Sequence, residues 1–288
     1  MGHGAAGNGR HSGRGRRRTA RLLAVCAVVV LSAAACEVPH GAPPVISQFK
    51  WFLRNSNSAG SPAVGFKFGS PSVNTIPIDG DWDGDGDDTM GVFNQATRTF
   101  SLRNTNGAGA ADLTFVFGPA NRLLWPVAGD WDGDGDDTIG VFDFQNAVWY
   151  LRNTNNTGGS TGPFTFGAGG DYPVVGDWDN DGDDTVGIVR PSTRKWSLRF
   201  SNTPGGGSIP AFTFGPSTGT PIPIVGDWDG DGDDTVGRWV PQTQTWYLRN
   251  SNTTGGSSIP PFVYSTGAKV PLAGDWDGNG TDTVGYGT

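Results

Sequence analysis

A short acidic segment recurs five times in this 288-residue chain, and its spacing constrains the fold more than any other feature. Each copy contains Asp-Trp-Asp, and successive tryptophans are separated by 49, 47, 50 and 48 residues. The five tryptophans are Trp82, Trp131, Trp178, Trp228 and Trp276. A fixed period of this length indicates a solenoid or a propeller.

Four further patterns recur within each period and predict strands. In the second period, an apolar-Pro-apolar stretch at 125–127 precedes the acidic segment, and Thr-x-Gly at 138–140 follows it. Trp-Tyr-Leu-Arg at 149–152 and Phe-x-Phe-Gly at 164–167 complete the period. These segments are rich in aromatic and β-branched residues and are bounded by Gly, Asn, Asp or Ser, which is typical of strands joined by hairpin turns. We name them strands A, B, C and D.

Four strands per period is the size of one propeller blade, and the order of the strands predicts how many blades there are. The chain opens with strands C and D alone, at 51–54 and 66–69, and ends with strands A and B alone, at 270–286. Four complete sets lie between them. Pairing of the terminal halves would remove open strand edges. The sequence therefore predicts an all-β, five-bladed β-propeller over 46–288, with N-terminal strands C and D paired to C-terminal strands A and B. A β-solenoid is the alternative.

The first 35 residues differ from the rest of the chain. Six arginines without any acidic residue accompany a 14-residue apolar run at 22–35 that ends in small residues. This order is typical of a secretory signal peptide. We predict a signal peptide at 1–35, a linker at 36–45 and a protein that is secreted or held at the cell surface. Cleavage before Cys36 fits an ordinary signal-peptide site or a lipobox, in which Cys36 would carry a lipid anchor, and both alternatives stay open.

The rest of the chain is strongly acidic. It holds 14 basic and 28 acidic residues, a formal net charge of −14. This balance argues against nucleic acid as a partner, because phosphate binding requires basic patches. Of the 28 carboxylates, 23 lie within the five acidic segments. Such a density of like charges is unfavourable unless a positive charge lies among them or water and distance keep them apart.

The acidic segment falls at the hairpin between strands A and B. In its first copy, Asp81, Asp83 and Asp85 take positions 1, 3 and 5, and Gly86 at position 6 permits a sharp turn. The first half of an EF-hand loop uses the same spacing to converge carboxylates on one Ca²⁺. An EF-hand itself is excluded, because position 12 is never Glu and no helix is predicted on either side. Ca²⁺ is favoured over Mg²⁺, because a cage of protein oxygens suits the larger ion.

This loop, placed between the first two strands of a blade, resembles the FG-GAP/VCBS repeat. That repeat is the calcium-binding blade of integrin α-subunit propellers and of many bacterial surface proteins. The resemblance covers about 46–288 and implies Ca²⁺ ligands from the side chains at positions 1, 3, 5 and 9 and from the carbonyl at position 7. The corresponding residues are Asp81, Asp83, Asp85, Asp87 and Thr89; Asp130, Asp132, Asp134, Asp136 and Thr138; Asp177, Asp179, Asp181, Asp183 and Thr185; Asp227, Asp229, Asp231, Asp233 and Thr235; and Asp275, Asp277, Asn279, Thr281 and Thr283.

Two positions depart from the family pattern. Position 9 holds Thr where the family has Asp, and an Asp stands one position earlier. These earlier residues are Asp88, Asp137, Asp184, Asp234 and Asp282. Either that Asp or the Thr hydroxyl would complete the ion's ligand shell. In the fifth loop, Asn279 and Thr281 replace Asp at positions 5 and 7, so we expect five Ca²⁺ sites with the fifth the weakest.

The recurring tryptophans are expected in the core. The side chain at position 2 of each acidic segment points away from those at positions 1 and 3, and we predict that it packs between blades. For the tryptophans of strand C, core packing ranks above stacking on a sugar ring. These are Trp51, Trp149, Trp196 and Trp246.

Three function classes are compatible with such a propeller. We expect a monomeric, non-enzymatic surface or adhesion module that binds an extracellular protein or glycan through polar C–D tips such as 153–155 and 250–252. A lectin with sugar pockets between blades is the alternative. A glycoside hydrolase ranks last. The predicted propeller has no His, Cys or Glu, so Ser-His-Asp and Cys-His schemes are unavailable, and a glycoside hydrolase would need two Asp at a suitable separation. The propeller's carboxylates outside the acidic segments are Asp79, Asp112, Asp143 and Asp171.

Overall fold

The computed structural model describes residues 48–264 and 269–288. The predicted signal peptide, the linker and Cys36 lie outside the described residues. None of the described residues is helical, so this part of the chain contains no helix that could cross a membrane. It consists of twenty strands in five antiparallel sheets of four.

Four of the sheets are continuous in sequence, and each is one blade with its strands in the order A, B, C, D. Blade I comprises β3 (Thr75–Gly80), β4 (Thr89–Asn94), β5 (Thr99–Leu102) and β6 (Leu113–Val116). Blade II comprises β7 (Leu124–Gly129), β8 (Thr138–Asp143), β9 (Val148–Leu151) and β10 (Phe164–Thr165). Blade III comprises β11 (Tyr172–Gly176), β12 (Thr185–Arg190), β13 (Lys195–Leu198) and β14 (Phe212–Thr213). Blade IV comprises β15 (Ile222–Gly226), β16 (Thr235–Val240), β17 (Thr245–Leu248) and β18 (Ile259–Val263).

The fifth sheet joins the two ends of the chain. It comprises β19 (Val270–Gly274), β20 (Thr283–Gly287), β1 (Phe49–Leu53) and β2 (Val64–Phe68), in that order. β1 pairs with β20 in a register that places Trp51 opposite Gly287, and Lys50 and Thr288 exchange backbone hydrogen bonds of 3.2 and 2.9 Å. The predicted closure is confirmed, and we call this sheet the composite blade.

The blades form a ring around their innermost strands. The A strands contact one another in a closed cycle: β3 with β7, β7 with β11, β11 with β15, β15 with β19, and β19 with β3. The hydrophobic core fills the spaces between neighbouring blades. Trp82, for example, shares a cluster with Ile78 of blade I and with Leu124 and Ile139 of blade II. The tryptophans of the acidic segments therefore pack between blades, as predicted.

Strand D is shorter than its sequence pattern in two blades. β10 and β14 each contain two residues, and the chain leaves the strand before the glycine of Phe-x-Phe-Gly. Gly167 and Gly215 both have φ of 96°, outside the extended region. Strand D is the outer edge of each blade, and short edge strands leave few unpaired backbone groups for another chain to pair with.

Candidate metal centre

Each acidic loop connects the innermost strand of a blade to the second strand. In blade I, the loop begins after Gly80 and ends at Thr89, which are the last residues paired in β3 and β4. Because all five loops make the same A–B connection in equivalent blades, they lie at the same end of the propeller. The fold thereby gathers 23 carboxylates on one face.

The carboxylates at positions 1, 3 and 5 converge within four of these loops. In each, one oxygen from every member of the triad lies within 4.8 Å of the others. The first member is buried and the other two are exposed, so the triad opens to solvent. The four triads are Asp81, Asp83 and Asp85; Asp130, Asp132 and Asp134; Asp177, Asp179 and Asp181; and Asp227, Asp229 and Asp231. Clustered carboxylate oxygens on a single loop are ligands that suit Ca²⁺.

The position-1 carboxylate also holds the loop in shape. Asp81 Oδ1 accepts the backbone N–H groups of Gly84 at 2.8 Å and Asp85 at 3.1 Å, while its Oδ2 accepts that of Gly86 at 2.9 Å. Gly84 and Gly86 have φ of 72° and 101°, a region where a side chain costs energy. Asn180, which replaces the first of these glycines in blade III, has φ of 56°, and Asn tolerates this conformation better than most residues.

The fifth loop also has backbone hydrogen bonds to its position-1 aspartate, but it carries fewer charges. Asp275 Oδ1 accepts the N–H of Asn279 at 3.0 Å, and its Oδ2 accepts that of Gly280 at 2.5 Å. Asn279 Oδ1 accepts the N–H of Thr281 at 2.8 Å, where Asp85 Oδ1 accepts that of Asp87 at 3.3 Å in the first loop. The amide oxygen of Asn279 thus takes the place of the third carboxylate.

Crowding and burial raise the pKa values of several loop carboxyls. Burial is the first cause that raises the pKa of Asp87, Asp136 and Asp233 to about 7, followed by the hydrogen bond and the charge of the carboxylate at position 5. Burial likewise raises the pKa of Asp177 and Asp275 to about 6. A divalent cation among these groups would favour their charged forms.

The position-8 carboxylate accepts a hydrogen bond from the neighbouring blade. Asp137 Oδ2 accepts the backbone N–H of Asp81 at 2.7 Å, and Asp81 O accepts the N–H of Asp137 at 2.5 Å, although the two residues belong to neighbouring blades. The same reciprocal pair of bonds forms at every junction. The other four pairs are Asp130 with Asp184, Asp177 with Asp234, Asp227 with Asp282, and Asp275 with Asp88.

Both predicted candidates for the last metal ligand are buried side chains. The position-8 side chains are buried at the blade junctions. The position-9 hydroxyls are buried as well, and that of Thr89 donates to Gly80 O at 3.2 Å across the A–B pair. Thr138 and Thr235 make the same bond at 3.2 and 3.1 Å. Metal ligation by the Thr hydroxyls and by the position-7 carbonyls stays a prediction.

Asparagines of the C–D loop hold the acidic loop of their own blade. Asn104 Nδ2 donates to Asp83 Oδ2 at 2.8 Å, and three other blades make the equivalent bond at 2.5–2.6 Å. Phe200 replaces this asparagine in blade III, so Asp179 receives no equivalent bond. These asparagines contact the acidic loops, and partner binding through the C–D tips stays a prediction.

A second asparagine, two residues further on, makes a contact that occurs in all five blades. Its Nδ2 donates to the carbonyl of the position-8 aspartate at 2.5–2.7 Å. These residues are Asn57, Asn106, Asn155, Asn202 and Asn252. The sequence signal that could have predicted this contact is an asparagine that recurs at a fixed distance after Leu-Arg in every period.

The arginine of Leu-Arg organises the C–D loop from within. Arg54 Nη1 donates to Ser61 O at 2.5 Å and its Nη2 to Ala59 O at 2.8 Å. Arg103 donates to Ala110 O and Ala108 O at 2.5 and 3.1 Å in the same way. These arginines satisfy loop carbonyls.

The strand-C tryptophans belong to the core. Trp51, Trp149 and Trp196 are 0% exposed and Trp246 is 2% exposed, which leaves no ring face for a sugar. Trp51 Nε1 donates to Phe68 O at 2.9 Å, and Trp149 Nε1 donates to Phe166 O at 3.0 Å. The predicted preference for core packing is confirmed.

Two carboxylates outside the acidic loops have structural partners. Asp171 forms a bidentate ion pair with Arg190, with N–O distances of 2.9 and 2.8 Å. Asp143 accepts the N–H groups of Gln145 and Asn146 in the turn after β8 and lies 3.6 Å from Arg122. Both contacts stabilise the blades themselves.

No protein-family model and no curated protein matches this chain. The resemblance to FG-GAP/VCBS repeats therefore rests on the spacing of the loop residues and stays an expectation.

Proposed function

We propose that this chain is an exported, calcium-stabilised β-propeller that serves as a binding or adhesion module outside the cell. The observation that supports it is the convergence of three carboxylates within 4.8 Å in each of four loops, on a frame of backbone hydrogen bonds to the position-1 aspartate. A fifth loop has the same frame with an amide in place of one carboxylate. Bound Ca²⁺ would offset carboxylate repulsion on one face of the ring.

In this proposal, calcium stabilises the fold and a surface of the propeller binds the partner. The partner is an extracellular protein or glycan, the protein is a monomer, and a lipid at Cys36 would fix it to a membrane. We expect no enzymatic activity, because Asp143 and Asp171 are occupied in structural contacts and the described propeller contains no His, Cys or Glu. A glycoside hydrolase therefore remains the lowest-ranked alternative.

The test is a calcium titration of the full chain by calorimetry, together with its melting temperature in calcium and in chelator. We expect five sites, weak affinities of roughly 10⁻⁴–10⁻³ M and a higher melting temperature in calcium. Asp132→Asn should weaken one site, because it removes a ligand charge, and Asp132 accepts a side-chain bond from Asn153 and no backbone N–H that shapes the loop. The matched control is Asp136→Asn, outside the triad of the same loop, which should keep all five sites. An unchanged melting temperature in chelator would contradict the calcium proposal.

A lectin is the second candidate, and cavities between blades favour it. One cavity of about 400 Å³ lies between the composite blade and blade I, and another of about 310 Å³ lies between blades III and IV. Ligand sites commonly have volumes of about 300–1,000 Å³.

A further inference from the structure

The two cavities occupy the same place in the repeat. The first is lined by Phe68 and Gly69 of the composite blade and by Ser101 and Gly109 of blade I. The second is lined by Phe214, Gly215, Tyr247 and Gly255, which are their equivalents in blades III and IV. Each cavity therefore lies between the end of strand D in one blade and strand C with its C–D loop in the next. We call the first one the hydroxyl groove.

The hydroxyl groove has uncharged polar walls over an apolar base. Thr99 and Ser101 alternate along β5 with buried residues, so both face the groove. Thr97 Oγ1 donates to Thr99 Oγ1 at 2.8 Å. Phe68 and Val92 contribute apolar surface at its base and are 3% and 7% exposed. None of the twelve lining residues, all of them in the described part of the chain, is charged.

Two polar groups of the groove are available to a ligand. Ser101 is half-buried, and its hydroxyl makes no hydrogen bond within the described residues. Asn94 Oδ1 accepts the N–H groups of Ala96 and Thr97 at 3.0 and 3.1 Å, which leaves its NH₂ group free to donate. Together with the Thr97–Thr99 pair, these groups supply hydrogen-bond donors and acceptors around the groove, and the volume of the groove suits a small molecule.

The combination of small hydroxyl side chains on strand C occurs in one blade. The residues equivalent to Ser101 are Phe52, Tyr150, Ser197 and Tyr247, and in three of the four an aromatic ring occupies the position. Where Ser197 replaces the ring in blade III, a lysine stands two residues earlier in place of Thr99. The pair of small hydroxyl side chains, Thr99 and Ser101, is therefore a property of the junction between the composite blade and blade I.

We propose that the hydroxyl groove binds a neutral sugar residue of a glycan. A sugar ring presents hydroxyls that can pair with Ser101, Asn94 and the threonines, and C–H groups that can contact the apolar base. The absence of charge on the lining residues disfavours a phosphate, a carboxylate or an ammonium ligand, whose burial requires a partner charge. The inference names a ligand class for the binding module proposed above, but it does not depend on calcium occupancy of the acidic loops.

The test is binding of the full chain to an array of neutral glycans that end in glucose, galactose, mannose, fucose or an N-acetylhexosamine. Ser101→Tyr should replace the small hydroxyl side chain with the ring that blades II and IV carry at this position, which narrows the groove, and it should weaken glycan binding at least tenfold. The matched control is Ser197→Tyr, the same change in blade III, which should bind as the parent does. Thr99→Val, which keeps the shape and removes a hydroxyl, should weaken binding several-fold.

Melting temperatures and calcium titrations of the same variants separate the two proposals. Both tyrosine variants should melt and bind calcium as the parent does, so that loss of glycan binding reports on the groove alone. A parent that binds no neutral glycan would overturn the inference and leave the calcium proposal intact. Equal loss in Ser101→Tyr and Ser197→Tyr, or no loss in Ser101→Tyr, would also overturn it.

Discussion

Asp81 and Asp137 hold two neighbouring blades together through a pair of hydrogen bonds. The N–H of Asp81 donates to Asp137 Oδ2 at 2.7 Å, and the N–H of Asp137 donates to Asp81 O at 2.5 Å. Asp137 is 0% exposed. The same bonds recur at all five junctions, so the last aspartate of each acidic loop connects its blade to the neighbouring blade. Its partner is the first aspartate of the neighbouring loop, whose carboxylate belongs to a candidate metal site.

We predict that Asp137→Ala destabilises the propeller by about 1–3 kcal/mol, because the buried N–H of Asp81 loses its acceptor. Asp137→Asn should cost less, since an amide oxygen can accept the same bond. Urea unfolding in chelator measures both without a metal contribution. Gln145→Ala, at an exposed side chain of the same blade, is the control, and it should change the free energy of unfolding by less than about 0.5 kcal/mol. Equal stability of Asp137→Ala and the control would show that the junction bond contributes little.

We predict that Asn155→Ala destabilises the protein more than Asn153→Ala does. Asn155 Nδ2 donates to Asp137 O at 2.5 Å and its Oδ1 accepts the N–H of Ile139 at 3.2 Å, so its loss leaves two backbone groups unpaired. Asn153 bonds only the exposed side chain of Asp132, whose oxygen water can reach. In urea unfolding, Asn155→Ala should lower the free energy of unfolding by about 1–3 kcal/mol, and Asn153→Ala should lower it by less than about 1 kcal/mol. The reverse order would contradict these roles.

The sequence predicts the ring and its closure because both follow from the order of the repeats along the chain. The repeat period indicates the blades, and strands C and D at one end complement strands A and B at the other. The sequence also predicts positions 1, 3 and 5 of the loop, since their spacing alone brings them together. It leaves the role of Asp137 and its equivalents open, because their partners lie in the next blade, 54 or more residues away. The sequence also leaves the contact between Asn155 and the acidic loop open, because this contact depends on how strand C lies beside strand B.

The raised pKa values predict a pH dependence of the metal-free protein. Burial and neighbouring charges raise the pKa of Asp87, Asp136 and Asp233 to about 7, above the value near 3.9 expected in the unfolded chain. The folded state then binds more protons than the unfolded state between these values, so stability falls as the pH rises from about 4 to about 7. We expect the melting temperature of metal-free protein to decrease across this range.

Saturating calcium should remove much of this pH dependence, because the ion favours the charged carboxylates and lowers their pKa values. The measurement is a series of thermal melts of metal-free and calcium-loaded protein at pH 5, 6, 7 and 8. A metal-free protein that gains stability with rising pH would contradict the direction of the shifts. Parallel curves with and without calcium would show that the ion does not bind near these groups.

The fifth loop should bind calcium most weakly, and one substitution should reverse this. Asn279 Oδ1 accepts the N–H of Thr281 at 2.8 Å, as Asp231 Oδ1 accepts that of Asp233 at 3.4 Å in blade IV. The two loops therefore share a frame, and the difference at position 5 is charge. Asn279→Asp should tighten the last site in calorimetry by about tenfold, which corresponds to ~1.4 kcal/mol. Asp231→Asn is the mirror-image control and should weaken one of the other sites by a similar factor. Identical isotherms for parent, Asn279→Asp and Asp231→Asn would show that the charge at position 5 does not set calcium affinity in these loops.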